Sequence, residues 1–267
     1  MLGPMAMMVG ELKVQPAAAI GNVILVTGGG RGIGAATARL AGRYGYTVAI
    51  NYLANTEAAN SVVQEIRSNG GTAIAFAADI SHEVEVRKLF QSVDRYLGRI
   101  AVLVNNAGIV DRQARVEAMT ETRPARILAV NVVGTFLCAR EAVLRMSRRH
   151  GGSGGAIVNV SSVAARLGSP GEYVDYAASK AAIDTFTLGL AKEVAAEGIR
   201  VNAVRPGIID TEIHASSGDP KRAQHLAGAL PLGRAGTADE VAQAILWLAS
   251  AESSYCSGTI MDVSGAR

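Results

Sequence analysis

Cysteine is nearly absent. Cys138 and Cys256 are the two in 267 residues, and they form no Cys-x-x-Cys pair. Neither a disulfide framework nor a zinc knuckle can be built from them, and a reduced, cytoplasmic setting is expected. Aromatic residues are 4% of the chain, too few for the stacking platforms of single-strand nucleic-acid binders. Charge of one sign is equally scarce. Lys and Arg number 26 against 23 Asp and Glu, a formal net charge of +3, so no nucleic-acid partner is expected. His82, His150, His214 and His225 are scattered without metal-ligand spacing, so no metal is expected. No unbroken apolar run reaches the roughly 18–20 residues that span a bilayer, which leaves no expected membrane partner. Residues 1–21 are apolar and Met-rich, but they lack a basic start and are interrupted by Glu11 and Lys13. A signal peptide is not expected there, only an extension without assigned function.

Aliphatic residues and glycine are abundant instead, with 49% hydrophobic content and 30 glycines. Short aliphatic runs recur at Val23–Val26, Thr47–Ile50, Ala73–Phe76, Ala101–Val104, Ala156–Val160, Arg200–Val204 and Thr259–Met261. Such runs suit strands buried on both faces of a parallel sheet. Helix-length segments separate them at 33–44, 57–69, 82–96, 123–149, 176–197 and 238–250. Val86, Leu89, Phe90 and Val93 repeat at the helical period, and Thr237 with Glu240 forms a capping-box pattern. Alternation of this kind implies right-handed βαβ units. The expected fold is a single-domain, Rossmann-like α/β structure over 22–267, a doubly wound parallel sheet with helices on both faces.

The first strand runs through Thr27 straight into Gly28-Gly29-Gly30-Arg31-Gly32-Ile33-Gly34, and a helix-forming stretch follows. Glycine suits positive φ and close backbone approach. Between a strand and a helix, such a turn offers N–H groups and a positive dipole end to a pyrophosphate. No Gly-Lys-Ser/Thr follows, so a Walker-type loop is excluded. The spacing reads Gly28-x3-Gly32-x-Gly34; Gly30-x-Gly32-x-x-Ala35 is the alternative register.

Further motifs follow in order: Asn105-Asn106-Ala107-Gly108 after the fourth strand, Asn131 in a helix pattern, and Ser162 after the fifth strand. Tyr176-x3-Lys180 and Pro206-Gly207-x3-Thr211 complete the set. With the glycine turn, these resemble the signatures of the short-chain dehydrogenase/reductase family over about residues 22–265. Ser162 and Tyr176 are 14 apart, one more than is commonest in that family, and Ser161 is the alternative serine. Asp262-Val263-Ser264-Gly265 stands where many relatives carry two adjacent glycines.

The resemblance implies hydride transfer between a nicotinamide cofactor and a small alcohol or carbonyl compound. Tyr176 and Lys180, at i and i+4, share a helix face. A free Tyr has a pKa of about 10, and a nearby ammonium together with the oxidised nicotinamide would favour its phenolate. Ser162 is implied to hydrogen-bond the reacting oxygen, Asn131 to hold a water relaying protons to Lys180, and Lys180 to bind ribose hydroxyls. Gly28, Gly30, Arg31, Gly32, Ile33 and Gly34 would hold the pyrophosphate region, and Asp79 and Ile80 the adenine. Asn106, Ala107, Gly108, Pro206, Gly207, Ile209 and Thr211 would complete the cofactor wall. The second strand ends at Asn51-Tyr52 without the acid that commonly bonds a ribose 2′-hydroxyl, and Arg31 could pair with a 2′-phosphate. NADP(H) is therefore expected, with NAD(H) as the alternative. Tyr173 is read as lining the substrate mouth or simply packing. Residues 212–228 are read as a substrate-covering segment, and Arg145, Arg148, Arg149 and His150 as a solvated helix end. By resemblance the substrate is a sugar or a 3-oxoacyl thioester, and the chain forms a homotetramer through 123–149, 176–197 and the C-terminal strand region. A catalytically idle cofactor-sensing protein on the same fold is the rival reading; it predicts a damaged catalytic set.

Overall fold

The computed structural model describes residues 23–213, 218–219 and 221–267. The 1–21 extension, His214 and part of the 212–228 segment lie outside the described residues. The strands are β1 Val23–Val26, β2 Thr47–Tyr52, β3 Thr72–Ala77, β4 Val102–Asn105, β5 Gly155–Val160, β6 Ile199–Pro206 and β7 Ile260–Val263. They pair in parallel throughout, in the order β3-β2-β1-β4-β5-β6-β7. The expected doubly wound α/β sheet is the observed one.

The helices are α1 Gly32–Arg43, α2 Thr56–Ser68, α3 Glu83–Tyr96, α4 Thr122–Leu128, α5 Gly134–Met146, α6 Ala164–Leu167, α7 Val174–Val194, α8 Arg222–Leu226 and α9 Ala238–Ala249. Strand side chains alternate between two hydrophobic layers. Ile24 and Val26 of β1 pack with Val62 and Ile66 of α2 and Ile245 of α9 on one face. Leu25 points the other way, among Phe90 of α3, Met146 of α5 and Val194 of α7. Burial of this completeness, at about 1.5–3 kcal/mol per large aliphatic side chain, explains why central strands read as unbroken apolar runs. Val86, Leu89, Phe90 and Val93 form the buried stripe of α3. Thr237 and Glu240 close their capping box at the start of α9.

The expected helix at 123–149 requires correction. A π-helical turn, Ala129–Val133, separates α4 from α5, and the helix stops at Met146. Ser147 is extended and its hydroxyl accepts the Arg149 N–H, opening a 3₁₀ turn. Arg148, Arg149 and His150 are exposed there. Arg145 departs from the solvated-end reading: it is 12% exposed and paired with Asp94 and Glu141. No continuous apolar run was evident in the sequence, yet Thr122–Met146 carries an 18-residue window of mean hydropathy 1.7, long and apolar enough by composition to cross a membrane. Its Ile127, Cys138, Ala142 and Met146 are buried in this fold.

The chain leaves β1 toward β2 on one side, and returns through β4 on the other. This reversal creates a crevice at the carboxyl ends of β1 and β4, the place where open α/β sheets accept ligands.

Candidate active site

The glycine turn sits at that crevice. Gly28 and Gly32 have φ of +62° and +51°, the left-handed region that glycine tolerates. A Cβ on Gly28 would lie 3.0 Å from Ala107 Cα, and one on Gly34 would overlap Gly28 O and the Asn106 amide. These constraints support the Gly28-x3-Gly32-x-Gly34 register. Ala35, the last position of the other register, is an ordinary buried helix residue.

The turn is clamped from β4. Asn106 Nδ2 donates to Thr27 O at 2.9 Å and Gly28 O at 3.1 Å. Thr27 Oγ1 accepts from the N–H groups of Asn106 and Ala107, each at 3.0 Å. Asn51 differs from expectation. It is 2% exposed, accepts weakly from Gly28 N at 3.4 Å, and donates to Ala78 O at 3.0 Å. Its side chain braces the turn against the end of β3, so it is not a free partner for a ribose. Asn55, missed in the sequence, lines the crevice beside Tyr52 and caps α2 by accepting the Ala58 N–H at 2.9 Å. The N-terminus of α1 has no side-chain cap and no acid in its first turn. Its dipole and N–H groups therefore suit a phosphate group, and the crowded glycines suit close approach of one. Arg31 is exposed and forms no ion pair among the described residues.

Tyr176 lies in the first turn of α7 and Lys180 one turn further on. Ser162 and Tyr176 both line the cleft, and the Ser162 side chain favours the Tyr176 phenolate. Ser161, the alternative, instead donates to Lys180 O at 3.1 Å. The Lys180 ammonium is 5.6 Å from the Tyr176 ring centre and donates to Val160 O at 2.7 Å. Burial pushes the Tyr176 phenol up to about 12, against the lowering effect of Ser162. Burial also pushes Lys180 down to about 8, opposed by Asp184. Tyr176 thus stands above its ordinary value, loss of solvent outweighing the lowering from Ser162.

Asn131 sits in the π turn, 1% exposed. Its Nδ2 donates to Ile109 O and Ser179 Oγ, both at 3.0 Å, and its Oδ1 accepts from Ile109 N at 2.8 Å. Ser179 Oγ in turn donates to Tyr176 O at 2.7 Å. Both amide donors are occupied, so the side chain ties the loop after β4 to α7.

One cleft of about 1010 Å³ joins these parts. Among the expected site residues, only Gly34 and Asn131 stay out of its wall. Asp79 and Ile80 line the end near β3, with the Asp79 carboxylate held by Ser81 N and Oγ. Tyr173 lines the cleft and is also packed, at 6% exposure. Arg123 and Asp175 were missed in the sequence. Their bidentate pair, at 2.7 and 3.2 Å, supports the start of α7. Asp175 beside Tyr176 was readable as a first-turn acid, but nothing in the sequence marked Arg123.

A family model described as enoyl-(acyl carrier protein) reductase matches residues 28–265, nearly the whole described fold. The chain belongs to the short-chain dehydrogenase/reductase family. Members of this family are oxidoreductases, and the relatives carry that label. An uncharacterized oxidoreductase of Escherichia coli strain K12, YgfF, is 57% identical over 245 residues, 92% of this chain and 99% of that one. A 3-oxoacyl-[acyl-carrier-protein] reductase of Synechocystis is 38% identical, covering 91% of this chain and 96% of its own. A crystal structure of a short-chain type dehydrogenase/reductase from Mycobacterium marinum superposes with a TM-score of 0.87 at 33% identity, over 94% of this chain and 96% of that one.

Proposed function

We propose that this short-chain dehydrogenase/reductase is an NADP(H)-dependent enzyme interconverting an alcohol and a ketone or aldehyde. The observation that carries the reading is the convergence of Ser162, Tyr176 and Lys180, with Lys180 Nζ 5.6 Å from the Tyr176 ring centre, inside the cleft headed by the glycine turn. Gly28 to Gly34 and the uncapped α1 N-terminus would hold the cofactor's phosphates, and the nicotinamide, when bound, supplies or accepts the hydride. Tyr176, kept as a neutral phenol by burial, gives its proton to the carbonyl oxygen during reduction. Ser162 donates a hydrogen bond to the same oxygen and orients it. Lys180 brings the positive charge that a Tyr176 phenolate needs in alcohol oxidation. Asn131 positions α7 through Ser179.

Arg31, solvent-facing and without an ion-pair partner among the described residues, supports NADP(H), as does the β2 end at Tyr52 with no acid. A 2′-phosphate would gain a charge-assisted bond there and meet no carboxylate. The intact catalytic set argues against the idle cofactor-sensing reading. Names of relatives point toward 3-oxoacyl thioesters, and a sugar is the other substrate class the resemblance implies. A cytoplasmic homotetramer completes the reading, supported by half-exposed apolar side chains along α5 and α7.

Titration with NADPH and NADH, followed by nicotinamide fluorescence, tests it. NADPH is expected to bind at least tenfold tighter, about 1.4 kcal/mol, and Arg31→Ala to abolish the difference. Tyr176→Phe is expected to remove turnover while keeping cofactor binding. Equal NADH affinity would overturn the NADP(H) assignment, and binding of neither would overturn the whole reading.

A further inference from the structure

The substrate end of the cleft contains a second organised group. Arg222, at the start of α8, lines the same cleft as Tyr176. Its guanidinium carbon lies 5.4 Å from the Tyr173 ring centre, and its Nη2 donates to Glu172 Oε2 at 2.6 Å. Tyr173 immediately precedes α7, three residues before Tyr176 and so about one helical turn from it. The Arg222 side chain is 12% exposed, whereas Glu172 is 36% exposed.

A guanidinium has five N–H donors, and a desolvated one is costly unless they are used. The Glu172 bond is the only acceptor recorded for Arg222 among the described residues. With its guanidinium carbon over the Tyr173 ring and one nitrogen bonded to Glu172, the fork is held in place in the cleft wall, which suits bidentate capture of a carboxylate. Glu172, more exposed, can turn to solvent when another carboxylate takes over its position.

We infer that Arg222 is the specificity-determining residue of this active site and that it selects a substrate bearing a carboxylate, an oxo acid and its hydroxy acid. The inference rests on the oxidoreductase reading for the identity of the reacting group, but not for the anion site itself. Glu172 is the resident stand-in for the substrate's acid group. A neutral sugar or a neutral acyl thioester would leave the guanidinium with Glu172 as its partner and gain nothing from the fork.

Two measurements on the full-length protein test this. Binding of a short hydroxy acid, and of its methyl ester, is measured calorimetrically in the presence of NADPH, a pairing that cannot react. The acid is expected to bind at least tenfold tighter than the ester. Arg222→Gln should erase that ratio, Arg222→Lys should restore part of it, and Glu172→Gln should tighten the acid several-fold by removing its competitor. A purely structural ion pair would instead make both substitutions weaken binding alike, and that result would overturn the inference. So would equal binding of acid and ester by the wild type. In the second measurement, an oxo acid and its methyl ester are compared by kcat/KM with NADPH. A preference for the acid that is lost in Arg222→Gln supports the inference. Turnover of neutral carbonyls without any acid preference overturns it while sparing the oxidoreductase reading. Arg222-dependent binding of the acid without turnover of any carbonyl does the reverse.

Discussion

An ammonium group is most stable in water, and Lys180 has almost none: it is 4% exposed, with Nζ bonded to Val160 O at 2.7 Å. Burial brings its pKa from 10.5 to about 8. Between these values the unfolded chain still holds a proton that the folded chain has released. Stability from this group is therefore fully present above the unfolded value and is lost as pH falls through about 8. Tyr176 has the opposite sign, but its rise to about 12 acts only in a more alkaline window. Lys180→Met removes the titration. The difference in Tm, variant minus wild type, is expected to fall steadily as pH rises from about 7 to about 9.5. A difference that does not change over this range would show that Lys180 keeps its proton. Individual site residues were legible in the sequence because the chemistry restricts residue type at a fixed helical interval, as with Tyr176 and Lys180. For Asn51 the position at a strand end was visible, but the bonds that turn its side chain inward were not.

Helix α7 carries the proposed proton-transfer residues, and its first turn is fixed by a joint that no local pattern reveals. Asp175 accepts both bonds of the Arg123 fork and also accepts the Tyr176 N–H at 2.9 Å. Arg123 Nη1 reaches further, to Arg112 O at 2.6 Å, so α4, α7 and the loop after β4 meet at one guanidinium. The two side chains are 12% and 4% exposed and lie 52 residues apart in the chain. Strands were predictable to within about two residues because burial on both faces leaves continuous apolar runs. A long-range ion pair and a π turn leave no such periodic trace. Arg123→Met strands a buried carboxylate, so an unfolding loss of about 3–5 kcal/mol is expected by denaturant titration. Adding Asp175→Asn should return part of that loss, since the uncompensated charge then disappears. Additive losses in the double variant would mean that the two side chains do not act as a pair. Because the joint aims Tyr176, kcat in both variants should fall more than the affinity for NADPH.

The apolar stretch Thr122–Met146 raises a question that only the whole molecule can answer. One side of it packs on the sheet, but Val133, Phe136 and Leu144 are about half exposed on the other. Phe136 stacks on Phe186 of α7, ring centres 3.9 Å apart, and Leu188 continues the patch. Contiguous apolar surface on this scale marks an interaction site. A bilayer is a poor occupant. Arg126 and Arg140 are exposed along the same stretch, and 44% of its apolar window is already buried in the fold. A second copy of the chain can cover the patch without burying those charges, and two-fold pairing would set α5 and α7 against their own counterparts. Phe136→Glu combined with Leu188→Glu is therefore expected to shift light scattering from a tetramer to a smaller species. The wild-type Tm should also fall on dilution, because assembly stabilises the folded protomer by mass action. A wild-type monomer at micromolar concentration would sink the proposal. Arg31 lines the cleft and the patch residues do not, so the Phe136→Glu/Leu188→Glu variant should keep its preference for NADPH even where the assembly is lost.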